Sequence, residues 1–333
     1  MTQPPWHPEQ LQARLPFLRR RAVLTAAVRA FFTARGYMEV ETPYAVTAPG
    51  EEVHLATFRT ERITPHGERR PLWLHTSPEF AMKRLLVGGA GPIFQLARVW
   101  RNGEGSDTHA REFTMLEWYR PGADMASLIE ETHDLLRAVL PPIVTCRGIT
   151  TDLAVAETLR MTDAFARYVG ADLLATADDA AALAAQAGVR LREGEDWEDL
   201  FFRLLLDKIE PAIGRGQPTF LTHWPAAQAA LARRDPADPR VAERFELFVC
   251  GMELANAFVE LTDAAEQRAR FMADRARRAE LYGDVGWPLD EDFLAALEHG
   301  MPPSAGIALG FDRLAMIAAG ADRIDQVLWL PSP

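Results

Sequence analysis

Two stretches and the C-terminal tail of this 333-residue chain carry the side chains best suited to chemistry. Residues Glu112 to Tyr119 read Glu-Phe-Thr-Met-Leu-Glu-Trp-Tyr, and the two-residue period of a strand puts Phe113, Met115, Glu117 and Tyr119 on one face. A ring, a carboxylate and a phenol then share a surface, with Arg101 at the other end of the same hairpin. In Arg244 to Thr262 a turn at Gly251 leaves Asn256, Phe258 and Glu260 on one strand face, with Glu246 and Glu253 bracketing the turn. Carboxylates in apolar strands are costly to bury unless they meet a cation, so the alternative for each is a solvated face. Arg313 follows Gly310-Phe311-Asp312 and precedes an apolar helix, where it is either a surface arginine or an anion ligand near a helix start. Together, two arginines, stackable rings and several carboxylates describe a site for a nucleotide, divalent cations and a cationic substrate. The run Gly88-Gly89-Ala90-Gly91-Pro92 is read as a plain turn, because it lacks a phosphate-binding lysine and leads into a strand rather than a helix.

The elements that must position these residues are legible from periodicity. Leu18 to Arg35 predicts an amphipathic helix capped at Gly36, and Tyr37 to Thr42 a strand ended by Pro43, with Met38 and Val40 on one face. Ile93–Arg101 and Glu112–Arg120 predict a long-looped antiparallel hairpin around Asn102–Arg111. Glu266–Tyr282 predicts a charged helix, and Gly306–Gly320 a strand entering a helix. The alanine-rich segment 151–195 predicts a peripheral helical insertion. Hairpins flanked by helices, without regular βαβ alternation, predict an α+β fold with an antiparallel sheet.

Composition narrows the function classes. The hydrophobic share of 48% and charged share of 25% are globular averages, which disfavours disordered and fibrous classes. The two cysteines, Cys146 and Cys250, have no metal-ligand spacing and suit a reducing cytoplasm. No stretch approaches ~18 uninterrupted apolar residues and no export signal opens the chain, so no membrane association is expected. The net charge of −11 argues against broad nucleic-acid binding.

The order of segments resembles the class II aminoacyl-tRNA synthetases of the lysine type. Glu39-Val-Glu-Thr-Pro43 with its preceding helix is similar to motif 1 of that class, which builds a homodimer interface. Arg101-Asn102 with His109-Ala-Arg-Glu-Phe-Thr-Met-Leu-Glu-Trp-Tyr119 is similar to motif 2, and Gly306-Ile-Ala-Leu-Gly-Phe-Asp-Arg313 to motif 3. Thr76-Ser-Pro-Glu79, Glu253-Leu-Ala-Asn-Ala-Phe258 and Val259-Glu-Leu-Thr-Asp263 resemble lysine-type signatures. Because motif 1 begins near residue 18, no anticodon-binding module is expected, and 1–333 is read as a single catalytic domain. This arrangement most resembles the stand-alone elongation factor P lysyltransferase family.

That resemblance implies activation of lysine, preferentially (R)-β-lysine, by ATP and Mg²⁺, and transfer to a lysine side chain of elongation factor P, with tRNA an unexpected acceptor. It implies that Arg101 grips the α-phosphate, Phe113 stacks on adenine and Arg313 holds the γ-phosphate. Asn102, Glu104, His109, Glu253, Leu254 and Gly310 complete the ATP contacts, with Glu246 and Glu253 holding Mg²⁺. Glu260 and Tyr119, with Glu117 nearby, would receive the distal ammonium. Ser77, Pro78 and Glu79 would orient the nearer amine, and Asn256, Phe258 and Ala308 would complete the substrate pocket. Gly103, Ala110, Arg111 and Ala257 depart from the family pattern. A truncated lysine-tRNA ligase and a catalytically inactive regulatory paralogue are the competing expectations.

Overall fold

The computed structural model describes residues 3–283 and 286–331, so both extremities of the 1–333 span lie outside the described residues. Helix α1 (Pro8–Ala34) leads into the short strand β1 (Met38–Glu39). β2 (Ala45–Val46), β3 (Phe58–Ile63) and β4 (Arg69–Leu74) form a small separate sheet. α2 (Glu79–Val87) precedes the hairpin β5 (Ile93–Trp100) and β6 (Glu112–Pro121). Next come α3 (Met125–Val139), β7 (Ile143–Cys146), β8 (Ile149–Asp152), β9 (Glu157–Arg160), α4 (Met161–Ala164), α5 (Ala180–Ala187) and α6 (Trp197–Leu204). The remainder is β10 (Thr219–Pro225), β11 (Val241–Val249), β12 (Met252–Val259), α7 (Ala264–Tyr282), α8 (Glu291–Gly300), β13 (Ser304–Gly310) and α9 (Phe311–Ala319). No helix among the described residues is long and apolar enough to cross a membrane.

The central sheet runs β1-β5-β6-β13-β12-β11-β10-β9 and is antiparallel except at its edges, where β1 pairs with β5 and β9 with β10 in parallel. This is the α+β architecture that the hairpins predicted. One face packs on α1, α3 and α9 through a core containing Phe32, Phe94 and Trp118, with Phe32 stacked 4.8 Å from Phe94. Arg21 of α1 and Asp312 of α9, both buried, form an ion pair, and Asp312 Oδ2 also accepts the Thr114 N–H at 2.9 Å. That contact ties the start of α9, and so Arg313, to the central hairpin.

Three elements differ from their predicted form. α1 begins at Pro8 and runs through Pro16, where local propensity would start it later. Tertiary contacts hold the extra turns, with Arg14 donating to the carbonyls of Leu328 and Pro5 at 2.7 Å each. The strand expected over Tyr37–Thr42 shortens to Met38–Glu39 because it finds only the edge of β5 to pair with, and Met38 is exposed rather than sharing a buried face with Val40. The helical insertion expected at 151–195 gives way to strand at both β8 and β9, the latter completing the central sheet. Helical structure starts at Met161 and recurs as short helices, separated by turns at 170–179 and 188–196, as far as Ala212, closing a second core around Phe165, Phe201 and Trp224.

Candidate active site

Hydrogen-bond register assembles the site floor from five strands. One cross-strand row reads Gln95, Glu117, Ala308, Asn256 and Glu246, and the next reads Ile93, Tyr119, Gly306, Phe258 and Arg244. Rows two residues apart along each strand share a face, so the groups separated in sequence by up to two hundred positions become neighbours. The β11–β12 turn at Cys250 and Gly251, with φ of 52° and 67°, is a two-residue connection of the kind that fits the strand twist. Gly306 has no room for a side chain: a Cβ there would lie 2.2 Å from the Tyr119 ring and 2.6 Å from Glu260 Oε1. Its absence lets Tyr119 lie across the sheet.

Above this floor is a cavity of about 530 Å³. Ser77, Glu79, Arg101, Glu104, His109, Phe113, Glu253, Leu254, Asn256, Phe258, Ala308, Gly310 and Arg313 reach its wall. Glu117, Tyr119, Glu246 and Glu260 lie buried just beneath it. Pro78 stands at the N-cap of α2, and Asn102 turns into its own loop, its Oδ1 accepting the Gly103 N–H at 3.0 Å. Neither reaches the wall.

The end of the cavity beside the β5–β6 loop is arranged for anions. Arg101 stands 5.4 Å above the Phe113 ring, and its guanidinium has no hydrogen bond or ion pair among the described residues. Arg313 is braced by the loop opposite, donating to the Thr108 carbonyl at 3.3 Å and the Glu253 carbonyl at 2.6 Å, and meeting His109 Nε2. Burial and the adjacent Arg313 hold His109 below the ordinary histidine range, so its ring is neutral and accepts from the guanidinium.

The other end is arranged for cations. Ser77 Oγ donates to Glu117 Oε1 at 2.6 Å and Tyr119 OH to Glu117 Oε2 at 3.0 Å. Burial, then the nearby Glu79, pushes the Glu117 carboxyl up to about 8. Lys83, buried on α2, lies 2.5 Å from both Glu79 Oε1 and Glu260 Oε2. The corner expected to receive an ammonium through Glu260 thus already holds one internal cation. Burial alone would lower the Lys83 pKa, but Glu260 and Glu79 carry it above the usual lysine range. Across the sheet, burial and then Glu253 push Glu246 up to about 8, although Arg244 pairs with it at 2.7 Å.

Sequence reasoning missed Lys83, Arg244, Glu52 and Asp274, together with Glu198 and Phe202 of α6, all of which border the cavity or its carboxylates. The four-residue spacing of Glu79 and Lys83, which places two opposite charges on one face if the segment is helical, was the available signal for the first. The others arrive from distant elements and left none.

A pH dependence follows from Glu117. Its carboxyl titrates near 8 when folded and near ~4.3 when unfolded, so the native state holds the extra proton between those values and stability contributed by this group falls as pH rises through that window. Wild type should lose melting temperature relative to Glu117→Gln between pH 5 and pH 8, with the difference levelling off above. A wild-type-minus-variant difference that is flat across that range would show that Glu117 is already ionised at pH 5.

The profile of the tRNA synthetases class II (D, K and N) matches residues 10–333. An elongation factor P–(R)-β-lysine ligase of Haemophilus influenzae strain PittGG is 45% identical over 325 residues, 97% of this chain and 96% of the relative. The ligase of the same name from Klebsiella pneumoniae subsp. pneumoniae is 46% identical over 328 residues, 97% and 96% of the two chains. That of Hamiltonella defensa is 44% identical over 333 residues, covering 98% and 97%.

Proposed function

This chain belongs to the class II (D, K and N) tRNA synthetase family, and from that premise we infer that it is an AMP-forming ligase that activates (R)-β-lysine with ATP and transfers it to a lysine side chain of elongation factor P. The observation that carries this reading is the division of one cavity into an arginine end, where Arg101 and Arg313 flank Phe113, and a carboxylate end built by Ser77, Glu79, Glu117 and Glu260. A nucleoside triphosphate and a diamino acid require those two ends. The relatives' shared name supports the acceptor.

In the first step a carboxylate oxygen of the amino acid attacks the α-phosphorus, the bond from that phosphorus to the bridging oxygen breaks, and pyrophosphate leaves. Arg101 meets the charge that develops on the α-phosphate, Phe113 stacks on adenine, and Arg313 holds the γ-phosphate, which positions the leaving group. Glu104, His109, Leu254 and Gly310 wall the nucleotide. Three carboxyl groups, Glu79, Glu117 and Glu260, face the single cation Lys83 at this corner, and the distal ammonium is received there as it draws the proton off Glu117. In the second step the acceptor amine attacks the adenylate carbonyl, an amide forms and AMP leaves.

Glu246 and Glu253 offer the hard oxygen donors that suit Mg²⁺. Among the described residues no three His, Cys, Asp or Glu side chains group to hold a metal on their own. Mg²⁺ is commonly held by one or two carboxylates together with substrate phosphates. When bound, the ion neutralises phosphate charge. We place the reaction in the cytoplasm, which suits the two free, buried thiols. We also propose a homodimer through α1 and the segment after it, where Val23 and Met38 stand exposed.

Ala308 lines the cavity between Glu117 and Asn256. Ala308→Gly should shift the ratio of kcat/KM for (R)-β-lysine over α-lysine toward α-lysine by roughly tenfold, the scale of one methyl group in a packed site. A ratio within about twofold of wild type would make Ala308 a packing residue only.

Pyrophosphate exchange with (R)-β-lysine and with α-lysine, followed by labelling of elongation factor P and of lysine tRNA in parallel, tests the whole reading. Exchange together with labelled elongation factor P is the expected result. Charged tRNA with unlabelled elongation factor P would overturn the acceptor, and absence of exchange with either amino acid would overturn the enzyme.

A further inference from the structure

None of the residues assigned above to ATP or lysine belongs to the helical segment after β9, yet one of its helices reaches the reaction cavity. Glu198 and Phe202 of α6 stand on the cavity wall, and with His54 they also line a second hollow of about 750 Å³ between α6 and α7. The two spaces therefore meet at these three side chains. Leu206, Leu281 and Tyr282, each substantially exposed, border the outer hollow among charged groups that include Asp196, Asp199 and Asp207, a mixed apolar and acidic rim that suits a lysine-bearing protein segment. Inward from the junction lies Asp274 of α7, which borders both the main cavity and a small side chamber of about 50 Å³. Asp274 makes no hydrogen bond or ion pair among the described residues, unlike Glu79, Glu117, Glu246 and Glu260, each of which has a partner.

We propose that the lysine-bearing loop of the acceptor protein docks in the groove between α6 and α7, that its side chain enters past His54, Glu198 and Phe202, and that Asp274 is the general base of the transfer step. The proposal rests on the ligase reading above. The acceptor's ammonium must lose a proton before its nitrogen can attack, because an ordinary lysine is protonated near neutral pH. Asp274 takes that proton and becomes the acid, the freed amine forms the C–N bond, and the carbonyl carbon's bond to the phosphate oxygen breaks. Of the two protons left on the attacking nitrogen, one leaves with the departing AMP and the other stays on the amide.

The surroundings of Asp274 suit the task. Burial, then Glu198 of α6 and Glu52 of the loop before β3, pushes its carboxyl up to about 7, while Arg270 one turn earlier on α7 opposes the shift. A base that titrates near neutrality combines availability with proton affinity. Glu198 and Glu52 also attract the entering ammonium. Of the histidines at the cavity, His109 is committed to Arg313 and His54 Nδ1 to the Tyr282 hydroxyl at 3.0 Å.

The test separates the two half-reactions of the full-length enzyme. Asp274→Asn should lower single-turnover transfer from preformed adenylate to elongation factor P at least tenfold more than it lowers pyrophosphate exchange, and should abolish the rise of the wild-type transfer rate through pH 7. Asp274→Glu should restore that rise. Leu206→Arg should raise KM for elongation factor P at least tenfold with a smaller change in kcat. Wild-type transfer and pH profile in Asp274→Asn would overturn the base assignment, as would a parallel fall of both half-reactions with a lowered melting temperature. An unchanged KM in Leu206→Arg would overturn the groove. A wild-type enzyme that exchanges pyrophosphate but labels no elongation factor P would instead remove the ligase reading, and the proposal with it.

Discussion

Arg101→Ala is expected to slow adenylate formation by about 10²–10³-fold while leaving the melting temperature close to wild type. The guanidinium has no hydrogen bond or ion pair among the described residues, and its Nε is buried without a partner. A cation held in a cavity wall with its donors unspent contributes little to the fold. Its removal sacrifices the contact above Phe113, on the order of 0.5–1 kcal/mol, and the charge that offsets the nearby Glu52 carboxylate, which can take up a proton in its place. The same donors, aimed at a phosphorus centre that gains negative charge, are worth about 3–4 kcal/mol in the transition state, which is the rate loss predicted. Arg101→Lys should recover only part of the rate, because an ammonium keeps the charge but not the planar fork. Pyrophosphate exchange measured beside thermal unfolding checks this, and exchange within tenfold of wild type would remove Arg101 from the α-phosphate.

Lys83→Met should have the opposite profile, with a large loss of stability whatever happens to catalysis. Lys83 is 1% exposed and lies 2.5 Å from a carboxylate oxygen of each of Glu79 and Glu260, the second of which is itself buried. Removing one member of a buried ionic cluster leaves uncompensated charge and costs about 3–5 kcal/mol. Lys83→Met combined with Glu260→Gln should regain part of that loss, since the deeper of the two carboxylates is then neutral and only the partly exposed Glu79 is left without its cation. The single variant should also recover as pH falls, because both carboxyls can then become neutral. Denaturant unfolding at pH 5 and pH 8 reads both effects. A cost below about 1 kcal/mol at pH 8 would mean that the carboxylates find other compensation when Lys83 is gone.

These predictions draw on information of two kinds. Local spacing was enough to place Phe113, Met115, Glu117 and Tyr119 on one face, to turn the chain at Gly251 and to start a helix after Gly310, because strand and helix periods follow from backbone geometry alone. Spacing also singled out Arg101 and Arg313, and the ordered resemblances added Ser77 and Glu79 and gave all four a role; all of them reach one cavity wall. Only the tertiary structure decided which charges are paired. A lysine on a helix is ordinarily solvated, and nothing within α2 announces that Lys83 meets Glu260, which lies at the end of a distant strand. The pairing of β9 with β10, the passage of α1 through Pro16 and the arrival of Glu198 and Asp274 beside the cavity are likewise long-range outcomes. Each depends on burial and on hydrogen-bond partners supplied by residues far away in the chain, and those energies override or ignore local propensity. The chain's own order of residues therefore determined the kinds of chemical group present and their faces, whereas folding determined their neighbours, their protonation and the groove from which the cavity is reached.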